Sequence, residues 1–567
     1  MELRAARLLA PRLAAPALAL AILAMALAAP AGAAAADLLV RPRQFYSPPP
    51  RYGLTAQKVL KIADRTEAAI SQKRRYGGQL YAVAYTNGPG RWQVSYFADR
   101  KERAQIQMLD ANGLVYEQWT GPQVAWKMAR GYEGQFGRKL NAPWIFIPLC
   151  LLFVLPFVDP RRPLRMVHLD LLALLAFAAS HFYFNRADIS TSVPLAYPPL
   201  VYLLLRMLWV GFRPRERARP LVPYLPVAAL GLMLLFLVGF RVALDIADGR
   251  AIDVGYAGVV GADRIADGDS LYGGWPKGIE RGDTYGPVAY LAYVPWEQAF
   301  PWSGRWDSLP AAKAAALTFD LLTLLGLFVL GRRLRAGPSG TMLGLALAYA
   351  WAAYPYSDFV LQANSNDSLV ALLVVWALVL LRSPAGRGAM VGLAAAAKLT
   401  PVVLAPLFAT ASADGARWWR RGVVASLATI AVMVAAFVPW IPDGGLRELY
   451  DRTLGYQAGR DSPFSIWGQH AALEPLHVAV MVFAAVLAVA VAFVPRRKSP
   501  MQVAALAAAV MVAIELTADH WFYLYIVWFA PLVIVASFLQ LRTDPPEPPL
   551  GWPDEPAARE PALTGVA

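Results

Sequence analysis

From Trp144 to about residue 541, apolar residues come in long unbroken runs and not in alternation. The runs lie near 143–158, 166–184, 195–212, 222–246, 309–331, 340–358, 366–382, 421–440, 474–494, 500–517 and 521–541. Most of them approach the roughly 20 residues that a helix needs to cross a bilayer. "AMVGLAAAAKLTPVVLAPLFATA", residues 389–411, lies between two basic loops and reads as a short helical hairpin with "KLTP" at its turn. Counted as two, it brings the total to about 13 membrane segments. "YGPVAYLAYVPWEQAFPW", residues 285–302, is aromatic, broken by prolines and too short to span, so it reads as interfacial or re-entrant.

Upstream the pattern changes. Residues 37–140 are polar and contain a helix-like stretch, "LTAQKVLKIADRTEAAISQKRR", then the alternating segments "RWQVSYFA", "RAQIQML" and "LVYEQWT". "DANG" between the last two is a hairpin signal. The expected fold class is therefore a polytopic all-α membrane protein with a small α+β domain at its N-terminal side. Residues 1–36 combine arginines, an Ala/Leu-rich run and small residues near Ala33 to Ala36, as a signal peptide or uncleaved signal anchor does. Residues 142–221 form additional spans, 222–541 the main core, and the Pro/Glu-rich 542–567 a disordered cytoplasmic tail.

Composition agrees: 57% of the 567 residues are hydrophobic and 16% charged. The net charge of +14 is spread over short clusters between apolar runs, such as "DPRRPLR", "FRPRERARP" and "RWWRRG", the pattern of cytoplasmic loops and not of a nucleic-acid surface. Placing these clusters inside puts the N-terminal domain outside. It also gathers the 247–285 loop, Asn364 to Asp367, Lys398, the 441–473 loop, Asp519 and His520 on the extracytoplasmic face. The single cysteine, Cys150, excludes an intrachain disulfide. The five histidines have no metal-ligand spacing, and no phosphate-binding G-x-x-x-x-G-K-[ST] loop is present; neither a metal nor a cofactor is expected.

The first outer loop, "AIDVGYAGVVGADRIADGDSLYGG", holds Asp253, Asp263, Asp267 and Asp269. Its residues Ile252 to Ala266 can form a helix closed by Gly268, with Asp253 near the positive end. Asp263 and Asp267, one turn apart beside Arg264, read as a solvated face.

A span, "D-x-x-x-A" entering a helix, "GDSLY" and "TYGPVAYLAYVP" together resemble the first outer loop of the C-superfamily (GT-C) of membrane glycosyltransferases. "NSNDSLVALLVVWALVL", "GLAAAAKLTPVVLAPLF" and "RDSPFSIWG" are similar to motifs of glycosyltransferase family 87, the polyprenol-phosphate-mannose-dependent group, and the likeness spans roughly residues 222–541. The N-terminal order of helix, hairpin and short helix resembles PepSY-type domains. The first resemblance implies a bacterial plasma-membrane enzyme that transfers a hexose, mannose in the family, from a polyprenyl-phosphate sugar to a glycan or glycolipid acceptor, with membrane lipid around it and no nucleic acid. It makes Asp253 the catalytic carboxylate, against the plainer reading of a helix-start charge.

That chemistry needs a base for the acceptor hydroxyl and cations or donors for the departing lipid phosphate, and it inverts the anomeric centre. Candidates for the phosphate are Lys398, Arg452 and Arg460. Lys398 reads equally as a snorkelling side chain, and Arg460 as a partner of Asp461 or of a lipid headgroup. Asn364, Asn366 and Asp367 suit sugar hydroxyls or helix capping, and His520 suits substrate orientation or an interfacial aromatic belt. Tyr272, Tyr285 and Trp467 suit stacking on a sugar face or simple anchoring at the interface. The rival readings are a transporter or flippase of lipid-linked glycans and a non-catalytic sensor using the N-terminal domain.

Overall fold

The structure is a computed structural model that describes residues 39–131, 139–411, 418–458 and 462–542. The expected signal or anchor, the segment beyond Arg542 expected to be a cytoplasmic tail, and Arg460 with its neighbour Asp461 lie outside the described residues. The chain divides into two units, one holding residues 39–131 and 181–192, the other 139–180 and 193–542.

The first unit is a five-stranded antiparallel meander with strands in sequence order: β1 (Leu39–Val40), β2 (Tyr81–Asn87), β3 (Arg91–Ala98), β4 (Lys101–Leu109) and β5 (Val115–Thr120). Two helices, α1 (Ala56–Ala63) and α2 (Glu67–Tyr76), pack Val59, Ala63 and Ala69 against Trp92, Val94, Ile106 and Met108. The helix-like stretch is broken in two because Thr66 caps α2, accepting from the Ala69 amide while donating to the Ala63 carbonyl. The "DANG" hairpin forms, with Gly113 at φ 70°. The strand Tyr81–Asn87 was not read from the pattern: both ends are small or polar, and only Ala84, Thr86 and Asn87 of its seven residues are buried.

Asp110, just past β4, holds this unit together locally. Its carboxylate accepts from the amides of Gly53 (2.6 Å) and Leu54 (2.9 Å) and from the Trp92 indole (2.8 Å). Burial alone would raise its pKa, but these three donors outweigh burial and lower it.

The second unit is helical. Among the described residues of the chain, six helical segments are long and apolar enough to cross a membrane: Met166–Phe184, Ile189–Phe212, Val227–Asp248, Pro310–Leu334, Trp418–Trp440 and Ala471–Phe493. The expected count of about 13 is therefore not established by length and composition. Several expected spans are shorter helices, among them Asp367–Val379 and Pro500–Glu515, whose residues are almost all buried inside the protein. The working elements are α3 (Met166–Leu175), α4 (Tyr197–Phe212), α5 (Val227–Asp248), α6 (Asp253–Asp267), α7 (Pro310–Leu334), α8 (Gly337–Ala353), α9 (Pro355–Gln362), α10 (Asp367–Val379), α11 (Pro384–Ala397), α12 (Ala405–Ala409), α13 (Trp418–Phe437), α14 (Glu474–Phe493), α15 (Pro500–Glu515) and α16 (Ile526–Leu539). Every residue of α16 is buried, whereas α13 and α14 leave Leu427, Ile430, Val482 and Val486 exposed on apolar faces suited to lipid.

The spans are less uniformly apolar than their runs suggest. Arg241 of α5 is buried, pairing with Asp320 of α7 at 2.7 Å and donating to the carbonyls of Trp351 and Ala352. Asp170 of α3 accepts from Arg206 and Tyr202 of α4 and from Ser537 of α16, which docks the additional spans on the core. In a low-dielectric interior such groups persist because every charge is matched.

Replacing Asp110 by Asn is expected to weaken the first unit by about 1–3 kcal/mol, read as faster amide exchange across β3 and β4. Because the folded pKa is lowered, the contribution of Asp110 is complete above the ordinary carboxyl range and is lost as pH falls through the folded value. The Asn variant loses that acid dependence; equal exchange in both proteins at all pH values would rule the role out.

Candidate active site

α5 ends at Asp248, and after a short extended turn α6 begins at Asp253. The turn is held by backbone pairing to α9 and its exit: the Arg250 amide donates to the Gln362 carbonyl (2.9 Å) and the Ile252 amide to the Ala363 carbonyl (3.0 Å). Gly268, in the left-handed region at φ 77°, ends α6 where the glycine signal placed it. α6 lies very close to its neighbours. A Cβ on Gly255 would stand 2.3 Å from the Asn364 carbonyl oxygen, and one on Gly261 2.2 Å from the Tyr290 ring.

Asp253 is exposed in the first turn of α6, and one carboxylate oxygen accepts from the Val254 amide at 2.9 Å. This is the geometry of a helix-start charge, and it leaves the carboxylate at the surface of the loop. Arg264 belongs to no simple solvated face: its guanidinium donates to the carbonyls of Ser270, Gly273 and Gly274, tying "DGDSLYGG" to the helix.

Asn364 and Asp367 are fully buried, and the Asn364 carbonyl lies against Gly255 in the first turn of α6. Asn364 adopts φ 45° and donates to Asp245 at 2.6 Å, near the end of α5. Asn366 occupies the N-cap position of α10 but makes no capping bond, and both of its amide atoms are buried without a hydrogen-bond partner. Asp367 does not cap either; it accepts from Ser365, from Trp528 (3.0 Å) and from Lys398 (2.5 Å).

Lys398 stands where the hairpin reading placed it, in an extended residue between α11 and the turn toward α12. The arms fold back on each other because Arg387, near the start of α11, donates to the carbonyls of Phe408 and Ala409 beside the end of α12. Lys398 is buried: its ammonium sits 5.1 Å from the Tyr285 ring centre and 5.3 Å from that of Trp528. Its charge is thus engaged by Asp367. Glu515, at the end of α15 and buried, is within electrostatic reach of both.

Tyr272 is buried and its hydroxyl donates to the Tyr285 carbonyl (3.0 Å), so it holds the loop; burial raises its pKa. Arg452 reaches across from the second loop to Asp283 (2.8 Å) and Glu448 (2.7 Å), and the bond to Glu448 lifts its pKa. Asp283, fully buried, also accepts from the Gly273 amide at 2.9 Å.

Trp467 and His520 form a different group. Trp467 donates to the Leu516 carbonyl (2.9 Å) and stacks on His477 at 4.7 Å, and His520 shares a 2.9 Å hydrogen bond with Ser462. The structure therefore brings Asp253, Asn364, Asn366, Asp367, Lys398, Tyr272, Tyr285 and Arg452 to one region, and gives Trp467 and His520 partners of their own. Sequence reasoning missed Asp245, Asp283 and Glu515. A lone acid in an apolar run was the available signal for Asp245 and Glu515, whereas Asp283 lies in the polar stretch "ERGDT" and had none.

Lys398→Met is expected to cost about 3–5 kcal/mol in thermal unfolding, since it strands Asp367 in the interior. Adding Asp367→Asn, which keeps an acceptor for Trp528, should recover part of that loss; strictly additive effects would show that the pair is not coupled. Gly255→Ala is expected to lower stability by about 1–3 kcal/mol, whereas Gly231→Ala in α5, with nothing within 4 Å of the added carbon, should be neutral or stabilising. Equal effects at the two glycines would exclude the close approach as the cause.

No curated protein matches the chain. Residues 284–518 match the family model described as Glycosyltransferase family 87. The match takes in Tyr285, Asn364, Asn366, Asp367, Lys398, Arg452, Arg460 and Trp467, and leaves Asp253, Tyr272 and His520 outside it. The matched stretch, less than half of the chain, is thus similar to glycosyltransferase family 87 and encloses several of the chain's long apolar helices.

Proposed function

We propose that this protein transfers a hexose, mannose in the first instance, from a polyprenyl-phosphate sugar to an acceptor hydroxyl at the extracytoplasmic face of a bacterial plasma membrane. The observation that carries the reading is Asp253, an exposed carboxylate at the head of α6, five residues beyond the end of a 22-residue apolar helix, on a helix packed against the buried Asn364. The carboxylate takes the acceptor's proton as its oxygen attacks the anomeric carbon. The lipid phosphate leaves from the opposite side with the bonding electrons, so the configuration inverts. Its charge is met by cations of the outer loops, with Arg452 and Arg460 as the candidates and Lys398 supplying field from below while it stays paired with Asp367. Asn366, whose amide atoms are unpartnered, is the first candidate for a sugar hydroxyl. The basic loops, being cytoplasmic under the positive-inside rule, support this sidedness.

Asp253→Asn is expected to reduce transfer from synthetic polyprenyl-phosphate mannose by about 10²–10⁴-fold with the unfolding temperature unchanged, measured with radiolabelled donor in membranes. Unchanged transfer would remove Asp253 as the base. If wild-type membranes used no polyprenyl-phosphate sugar, the transfer reading itself would fall, leaving a transporter or a sensor.

A further inference from the structure

Away from the candidate active site, the opposite end of α16 carries a second concentration of charge. Trp528, near the start of α16, touches Asp367, whereas Gln540 caps its far end about 18 Å along the helix. There, a small pocket, open to solvent, is lined by Arg165, Arg206, Arg217 and Arg219 together with Ser537 and Gln540.

The four arginines are not equivalent. Arg206 is spent: its guanidinium donates to Asp170 and to the Gln540 side chain. Arg165 is buried, with 4% of its side chain exposed, and donates one bond, to the Pro220 carbonyl. Its Nε and Nη1 are buried without a hydrogen-bond partner, Nη1 standing 3.7 Å from Asp159. Arg217 is exposed and Arg219 half-buried, and their backbone is fixed: a two-residue parallel pairing joins Arg217 and Ala218 to Leu541 and Arg542. The Arg217 amide donates to the Gln540 carbonyl and the Arg219 amide to the Arg542 carbonyl.

Arg165 also stands at the N-cap of α3, where no side chain caps the first turn, and Met166 and Val167 of that turn line the pocket. Helix amide dipoles and guanidinium groups thus converge on one space, and nothing anionic among its lining residues balances them. Burial, then repulsion from Arg219, Arg162 and Arg217, pulls the Arg165 pKa down against the attraction of Asp159. Two of the Arg165 nitrogens, Nε and Nη1, thus keep donors that can make charge-assisted bonds to phosphate oxygens.

We propose that this pocket is a binding site for a phosphate ester oxyanion, held by Arg165, Arg217 and Arg219 and the first turn of α3, at the end of the helix bundle opposite the candidate active site. The phosphate of an acidic phospholipid headgroup and free inorganic phosphate share this chemistry. The site sits where three basic segments meet, the 159–165 loop, the 212–220 loop and the end of α16, so an occupant bridges the additional spans to the core.

The test uses the full chain in nanodiscs of phosphatidylcholine with or without phosphatidylglycerol, with bound lipid counted by native mass spectrometry after release. Wild type is expected to retain phosphatidylglycerol, and Arg217→Gln/Arg219→Gln to retain it at least about tenfold less, tenfold being the loss of a single charge-assisted contact in affinity. Arg496→Gln/Arg497→Gln removes the same charge at exposed positions outside the pocket and is expected to leave retention unchanged. A rise in unfolding temperature with inorganic phosphate in phosphatidylcholine alone, abolished by Arg217→Gln/Arg219→Gln, would also support the site and make free phosphate its occupant. Equal retention in all three proteins with no phosphate effect would overturn the proposal, and so would equal losses in the two double variants, which would reduce it to general surface attraction.

Discussion

A carboxylate and an ammonium meeting in an apolar interior impose more order than any other contact in this molecule. Asp367 and Lys398 are each costly to bury alone, so neither can settle until the other arrives. Their meeting fixes the start of α10 against the tip of the α11–α12 hairpin, and the Trp528 indole adds α16 to the junction. The lysine then supplies a positive surface for the Tyr285 ring, and the adjacent Gly286 amide pairs with the Ala397 carbonyl. One end of the 247–285 loop is thereby positioned.

The other end of that loop is positioned by polar groups of the same kind. Asn364 turns through a left-handed conformation to reach Asp245, and the chain leaving α5 pairs with residues 362–363. Between these two anchors, Arg264 gathers the carbonyls of residues 270–274, and Asp283 links them to Arg452 of the second loop. Asp253 is carried on this framework as a consequence, on a helix whose placement is set by glycines and not by its own charge.

What could be read in advance follows from range. α6 with its Gly268 stop, the "DANG" turn and the lysine at the hairpin turn are local events, written in a few adjacent residues. The partners of those residues were not legible. Asp367 looked like a helix cap because acids do cap helices, and only the fold reveals that Lys398, 31 positions away, takes its carboxylate instead. Trp467 looked like a sugar platform until His477 was found against its face. Arg241, Asp170 and Asp320 sit singly in apolar runs, where a hydropathy average dilutes each one, and their pairing is a property of helix packing. Tyr81–Asn87 was missed for the converse reason: its neighbours make it a strand more than its own alternation does.

The clasp that Arg387 makes on the carbonyls of Phe408 and Ala409 joins the base of the hairpin whose tip is Lys398. Between base and tip runs one uninterrupted helical arm of ten residues, about 15 Å long. The arm works as a ruler, with the depth at which the ammonium stands set by how many residues separate it from the clasp. Adding one residue would rotate the lysine by about 100° and raise it by about 1.5 Å, away from Asp367 and from both aromatic rings. Substitutions along the outer face of α11 leave that measure untouched. Insertions and deletions do not, so drift in this segment is permitted in composition and forbidden in length.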